Sequence, residues 1–471
     1  MKKIVIIGGG IAGLAAAYRI QREIDESQAS IECVLLEGAN RLGGKIRTER
    51  FDGFIVEGGP DSFISQKPWA IELCKQLGIG DRLVGTNPDQ TSTYVYTGKK
   101  LCPMPDGLSL MIPTRFLPFI TSPLFSLAGK LRMGMDLLAP KKADDSDESL
   151  ASFTRRRLGE ECLKKMAEPM LAGIYAADPE KMSIKATFPM FFQTEQKHRS
   201  LILGMLARKR MAPVKTNSYS LFMTLKNGLG EMVETLVEKS PAVSFRTAVK
   251  VDAVMRNANG EGRGWRVMLA DGGDLEADVV ILAPPANIAA QLLRDTAPQI
   301  TKLLSQIHYV STATITLAYR KDGFSHPLNG FGFVVPTAEK RSIMACTWTS
   351  TKFPQRAPSD FVLLRCFVGG ALREELAERN AESIAALVQD DLRDIMGIRQ
   401  KPVFCRVYGN RKANVQYHVG HETLIGKVGR ELQNHPGLYL AGSAYTGIGL
   451  PDCILNGTRA AESALAGCKQ I

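Results

Sequence analysis

The sequence predicts an α/β fold built on a parallel nucleotide-binding sheet whose parts are scattered along the chain, and three stretches carry that expectation. In the first, the apolar β-branched run Lys3-Ile4-Val5-Ile6-Ile7 passes into Gly8-Gly9-Gly10-Ile11-Ala12-Gly13 and then into an Ala-rich helical segment. The second is a strand-like run, residues 31 to 36, that closes on Glu37. The third lies at the far end, where Gly437-Leu438-Tyr439-Leu440-Ala441-Gly442-Ser443 and then Gly447-Ile448-Gly449-Leu450-Pro451 repeat the order strand, glycine-rich loop, helix.

Each part of the first motif has a physical use. Gly8 permits the tight turn, Gly10 lets backbone N–H groups approach a pyrophosphate, and Gly13 lets the helix lie close on the strand, with phosphates at the helix's positive end. Glu37 follows Gly13 by 24 residues, near where an acid accepts ribose hydroxyls. The alternative is a glycine turn without a ligand; strand, three glycines, helix and acid together favour a dinucleotide. Lys2-Lys3 with the apolar run and Ala15-Ala16-Ala17 imitates a signal peptide, but the glycines and the spacing to Glu37 argue against one.

With 471 residues and 45% apolar content, the chain is long enough for two or three domains. A formal charge of +11 attracts anions, yet no nucleic-acid-binding pattern accompanies it, so no nucleic acid is expected. The nine cysteines are odd in number, dispersed and without a Cys-x-x-Cys pair. They read as reduced thiols of a cytoplasmic protein. No uninterrupted apolar run of about 18 residues suggests a spanning helix.

Along the chain, 69–77 reads as a helix and 93–101 as a hairpin turning at Gly98. Residues 108–138 are apolar and rich in Pro and Met, with charges only at Arg115, Lys130, Arg132 and Asp136. They are expected to form a helical subdomain whose apolar side packs in the core over a substrate cavity. The alternative is an interfacial amphipathic surface giving peripheral membrane contact. Residues 141–148 read as a solvated connector, and 150–178 as helical again. A basic cluster follows at Lys197, His198, Arg199, Arg208, Lys209 and Arg210, and 207–219 reads as a loop, either a lid over an anionic substrate or a solvated surface. Residues 225–237 open a helix, 245–251 form one strand, 265–283 a hairpin and a buried strand, and 300–408 a mixed sheet with a helical stretch near 371–396. His418-x-x-His421 lacks a third ligand nearby, so no metal is expected and the pair is read as shaping a turn.

Two further segments narrow the cofactor. Arg41-Leu42-Gly43-Gly44-Lys45 resembles the Arg-x-Gly-Gly element of the FAD-dependent amine oxidase superfamily, and Phe54 to Ser62, containing Gly59-Pro60-Asp61-Ser62, resembles its loop beside the isoalloxazine ring. Taken with Gly173-Ile174-Tyr175-Ala176, Thr194 to Ser200, Gln416 to His421 and Gly449-Leu450-Pro451-Asp452-Cys453, in that order, the chain resembles the porphyrinogen oxidases of haem biosynthesis, in particular the soluble type of Gram-positive bacteria. The resemblance implies a split, Rossmann-like FAD-binding domain (1–60, 225–290, 409–471), a mixed-sheet substrate domain (61–107, 183–224, 291–408) and a helical subdomain (108–182). It further implies oxygen-consuming, six-electron oxidation of coproporphyrinogen III, with protoporphyrinogen IX also accepted, release of hydrogen peroxide, and handover of product to a ferrochelatase.

Carried over by position, the resemblance assigns FAD to Gly8, Gly9, Gly10, Ile11, Ala12, Gly13, Glu37, Gly38, Gly44, Lys45, Gly59, Pro60, Asp61, Ser62, Val249, Gly442, Ser443, Ile448, Gly449 and Leu450. It assigns a flat substrate slot to Gly173, Ile174, Phe331, Val334 and Phe367, and a propionate cation to Lys67, since the Arg of eukaryotic members is Thr93 here. No side chain is expected to be catalytic: hydride leaves a meso carbon for flavin N5 and the pyrrole proton goes to solvent. The last helix would direct its positive end at the flavin, favouring the reduced anion. Competing readings are an amine oxidase or carotenoid desaturase of the same superfamily, and a porphyrin carrier with a structural flavin.

Overall fold

Alternation gives the opening strand, Lys2–Ile7, two buried faces: Ile4 and Ile6 pack into one core, Val5 and Ile7 into another. The computed structural model, which describes residues 1–109, 111–211, 219–257 and 264–468, sets this strand in the middle of a five-stranded sheet. Across the sheet the strands run Val243–Arg246, Ile31–Leu36, Lys2–Ile7, Val279–Leu282 and Leu438–Leu440, all parallel. A parallel sheet needs cover on both faces. The opening helix Ile11–Ser27 and the closing helix Leu450–Cys468 share one core, while Ala286–Leu292 and Pro298–Leu304 contribute to the other.

Because the opening and closing helices each follow a parallel strand, both N-termini emerge at the carboxyl edge of the sheet, where open α/β sheets bind ligands. They cross at Gly457, where a Cβ would stand 2.0 Å from Ala12 O.

A single strand over 245–251 is not what forms. Val243–Arg246 stays in the parallel sheet, Ala248 takes φ +57°, and Val251–Arg256 begins a separate antiparallel sheet with Trp265–Leu269 and Asp274–Ala277. The N–H groups of Ala248 and Val249 donate to Ala39 O (2.7 Å) and Glu37 O (2.9 Å), bending the chain over the acid-bearing loop.

The larger sheet is mixed. Its seven strands run Phe404–Gln416, His308–Arg320, Phe361–Gly369, Ile343–Trp348, Gly332–Val334, Thr93–Thr97 and Lys100–Pro103, antiparallel except where Gly332–Val334 meets Thr93–Thr97.

The third unit begins with a short hairpin, Leu108–Ser109 with Ile112–Pro113, before its helices. Arg157, fully buried, ties it together by donating to the Asp136 carboxylate through Nε (2.7 Å) and Nη2; the same carboxylate accepts from Ser200 Oγ (2.6 Å) and Ile202 N (3.0 Å). Two expectations for this region are corrected. Only part of the apolar content of 108–138 is buried: Phe119 and Met133 are, while Leu117, Leu127, Leu131 and Leu138 stand in solvent. Leu201–Met211 is a helix, with Arg208, Lys209 and Arg210 in its last turn, so no loop begins at 207; residues 212–218 of that reading lie outside the described residues.

Candidate active site

The first glycine turn is shaped by its neighbours. A Cβ on Gly13 would come within 2.0 Å of Gly8 O, whereas nothing lies within 4 Å of one on Gly10, leaving that side open. Gly10 caps the opening helix without a side-chain bond and no acid occupies the first turn, so backbone N–H groups face outward at Gly10-Ile11-Ala12. The Glu37 carboxylate is held by two backbone donors, Gly9 N (2.6 Å) and Ala39 N (2.8 Å), and Gly38 beside it is open. Arg41 pins the next loop by donating to Leu42 O, Ile46 O and Gly44 O, which brings Gly44 against Gly10. Val249 offers a ligand only its carbonyl, its N–H being engaged by Glu37 O. Lys45 is exposed, and desolvation is the main cause lowering its pKa, with Cys453 offsetting in part.

The second loop crosses directly above the first. A Cβ on Gly59 would overlap Lys45 O at 1.7 Å, so only glycine permits the crossing. Beyond it, Asp61 meets cations that sequence reading missed. Lys352 Nζ lies 3.2 Å and Arg365 Nη1 3.6 Å from Asp61 Oδ2, and Ser62 Oγ donates to Oδ1 (2.8 Å). Burial opposes ionisation of Asp61, but Lys352 and then Arg365 outweigh it and hold the carboxyl below its ordinary value. Arg365 also donates to Gly59 O and lies 4.6 Å over the Phe367 ring. Lys352 and Arg365 are legible only in space, since no local motif marks them.

The closing turn is held from its own helix: Asn456 Nδ2 donates to Thr446 O (3.1 Å) and Gly442 O (3.4 Å). Tyr417 Oη donates to Ser443 O (2.7 Å), and its ring stacks on His421 at 3.9 Å. Ile448 and Gly449 are half-buried and lead into buried Leu450. Lys67 is not a free cation: both oxygens of Asp452, in the first turn of the closing helix, lie 2.7 Å from its Nζ. Among the described residues no three His, Cys, Asp or Glu side chains group as metal ligands.

His421 makes acid stability predictable. Burial is the main cause pulling its pKa down from 6.5 to about 4. A folded-state pKa below the unfolded one means that the unfolded chain binds the extra proton, so this contribution is complete above about pH 6.5 and is lost as pH falls toward 4. At about 3 kcal/mol at most, it should appear as a falling melting temperature between those values, and His421→Phe should flatten that limb. An unchanged limb in the variant would assign the acid sensitivity elsewhere.

The substrate side is a row across the larger sheet. Val334 pairs with Ala345, Ala345 with Phe367, and Phe367 with Thr314. The helix Glu168–Tyr175 crosses this row, and a Cβ on Gly173 would lie 3.9 Å from the Ala345 methyl; Gly173 and Ile174 are both exposed, Ile174 by 55%. Arg365 and Phe367 share a face by alternation, so the row runs up to the Gly59–Ser62 loop. Phe331 stands apart. It precedes the strand, its backbone is engaged by Ser92 and Trp348, and alternation assigns it the face of core residue Phe333 rather than that of Val334.

Residues 11–465 match the family profile of flavin containing amine oxidoreductases. The chain belongs to that family. It is 38% identical to the coproporphyrinogen III oxidase of Bacillus subtilis, with 98% of each chain covered, and 33% identical to the protoporphyrinogen oxidase of Bos taurus, again with 98% of each covered. A crystal structure from Exiguobacterium sp. 255-15, assigned as a protoporphyrinogen oxidase, superposes with a TM-score of 0.87 at 35% identity, covering 100% of this chain and 99% of that one. The cofactor is FAD. The residues fit it: the open side of Gly10, the uncapped start of the opening helix, and the Glu37 carboxylate held by backbone donors beside open Gly38.

Proposed function

We propose that this protein is an FAD-dependent, oxygen-consuming oxidase that converts coproporphyrinogen III to coproporphyrin III, with protoporphyrinogen IX as a second substrate. The observation that carries the reading is the row Val334-Ala345-Phe367 beneath side-chain-free Gly173, running up to the Gly59–Ser62 loop through Arg365. A flat apolar slot of this kind suits a macrocycle better than an amine, since the row carries a single aromatic ring and no cage.

FAD held by the Gly8–Gly13 turn, Glu37 and the Gly59–Ser62 loop would supply hydride acceptance and two-electron transfer to oxygen, with peroxide as the product. The chain's own residues orient and exclude. Gly173 admits the ring close to the backbone, Phe367 provides a stacking face, and the pyrrole N–H needs no side-chain base. Lys67 neutralises Asp452, which preserves the positive end of the closing helix. A propionate reaching Lys67 would compete with Asp452 for it. The proposed division into FAD-binding, substrate and helical units departs from the boundaries read from the sequence within 183–224, where Ile184, Phe191, Leu201, Ile202 and Met205 pack in the core of the helical unit; nine free cysteines support a cytoplasmic setting.

The test is turnover. Purified yellow protein in air should convert coproporphyrinogen III into a fluorescent porphyrin with stoichiometric peroxide, and kcat/KM should be higher than for protoporphyrinogen IX. Inactivity toward both porphyrinogens, with the flavin reduced by a primary amine instead, would reject the assignment.

A further inference from the structure

The floor beneath the helix Glu168–Tyr175 changes chemistry along its length. That helix touches the strands Gly332–Val334, Ile343–Trp348 and Phe404–Gln416, so it passes from the apolar row to the far strand of the sheet. Alternation fixes which side chains lie under it. On His308–Arg320, Ala313 and Ile315 share a core with Leu376 and Ala377 on one side of the sheet. Thr312 and Thr314 take the other side, together with Phe367, which pairs with Thr314. Asn414 joins them, because its Nδ2 donates to Thr312 Oγ1 (2.7 Å). Gln416 follows at the next same-face position, and its Nε2 donates to Tyr175 O (3.2 Å) in the covering helix, which ties roof to floor at this end.

Asn414 is half-buried and spends its amide donor on Thr312, while none of the described residues donates to its Oδ1. What it keeps is an acceptor, set at one end of an otherwise apolar row. The ligand group that completes it is therefore an N–H or O–H. A propionate does not qualify, since a carboxylate brings acceptors only. A pyrrole of a porphyrinogen does: the saturated bridges let each ring tilt its N–H out of the mean plane toward the floor. The oxidised porphyrin is flat, and half of its nitrogens carry lone pairs that an amide oxygen repels. Given the substrate class proposed above, on which this rests, we propose that Asn414 Oδ1 accepts a pyrrole N–H hydrogen bond, orienting the reduced macrocycle over Phe367 and favouring it over the oxidised product. The amide takes no proton. It holds the ring while its N–H donors last and loosens as oxidation removes them.

Two binding measurements on the FAD-loaded full chain test this. Anaerobic mixing with coproporphyrinogen III, followed by flavin bleaching, gives an apparent substrate constant and a limiting rate; quenching of coproporphyrin III fluorescence gives product affinity. Asn414→Leu, similar in shape but without the acceptor, should raise the substrate constant about two- to tenfold, the reach of one hydrogen bond, and slow the limiting rate. Product affinity and melting temperature should stay at wild-type values. Asn414→Asp keeps an acceptor in place and should restore most of the substrate affinity. Thr312→Val removes the hydroxyl that aims the amide and should move the substrate constant the same way by a smaller factor, which keeps the test open should the leucine variant not fold. Equal losses for substrate and product, or wild-type constants in both Asn414→Leu and Thr312→Val, would overturn the proposal. Wild-type flavin that neither porphyrinogen bleaches would instead remove the substrate assignment beneath it.

Discussion

Gly457→Val is expected to release FAD and to destabilise the protein by about 3 kcal/mol or more, at the upper end of the range for overpacking a close contact. The added Cβ would stand 2.0 Å from Ala12 O and 2.8 Å from Ala12 C. These are backbone atoms that no rotamer change moves aside, so the opening and closing helices must separate. In the proposed FAD site their N-termini form the two halves, and flavin affinity and melting temperature should therefore fall together. Thermal unfolding followed by circular dichroism and by flavin fluorescence measures both. Gly429→Ala is the control: it is exposed in the helix His421–Leu432 with nothing within 4 Å of its Cβ position, and should raise stability by up to about 1 kcal/mol. Wild-type flavin content in Gly457→Val would refute the convergence of the two glycine turns.

Arg365→Met is expected to cost about 3 to 5 kcal/mol, the range for removing one partner of a buried ion pair, and to loosen the Gly59–Ser62 loop. Asp61 would lose a counter-charge and Gly59 O its donor. Lys352→Met should cost less, because Lys352 keeps some solvent contact and, unlike Arg365, does not hold Gly59 O. Chemical denaturation with FAD retention as a second readout distinguishes the two. An Arg365→Met protein with the denaturation midpoint and flavin content of wild type would remove Arg365 from any part in holding the loop.

How far the sequence could be read depended on the range of the interaction responsible. The turn at Gly8–Gly13, Glu37 and the alternation of Lys2–Ile7 are legible because each is settled within a few residues: φ freedom, a strand's period of two, a helix N-terminus. The break at Ala248 was hidden, since alanine does not announce a positive φ; bonds to Ala39 and Glu37 impose it. The stripe Leu127, Leu131, Met135 and Leu138 was visible as a pattern, yet periodicity reads identically whether a face is buried or bare.

By itself, then, the sequence determined the α/β class, the nucleotide turn and its acid, and the family signature, all properties of short windows. Only the tertiary structure decided which charges meet and which faces stay open. It paired Lys67 with Asp452, brought Arg365 and Lys352 to Asp61, laid Gly457 on Ala12, aligned Val334, Ala345 and Phe367 beneath Gly173, and left one side of 127–138 in solvent. The reason is that contact energies depend on distance in space, and separation along the chain does not specify it.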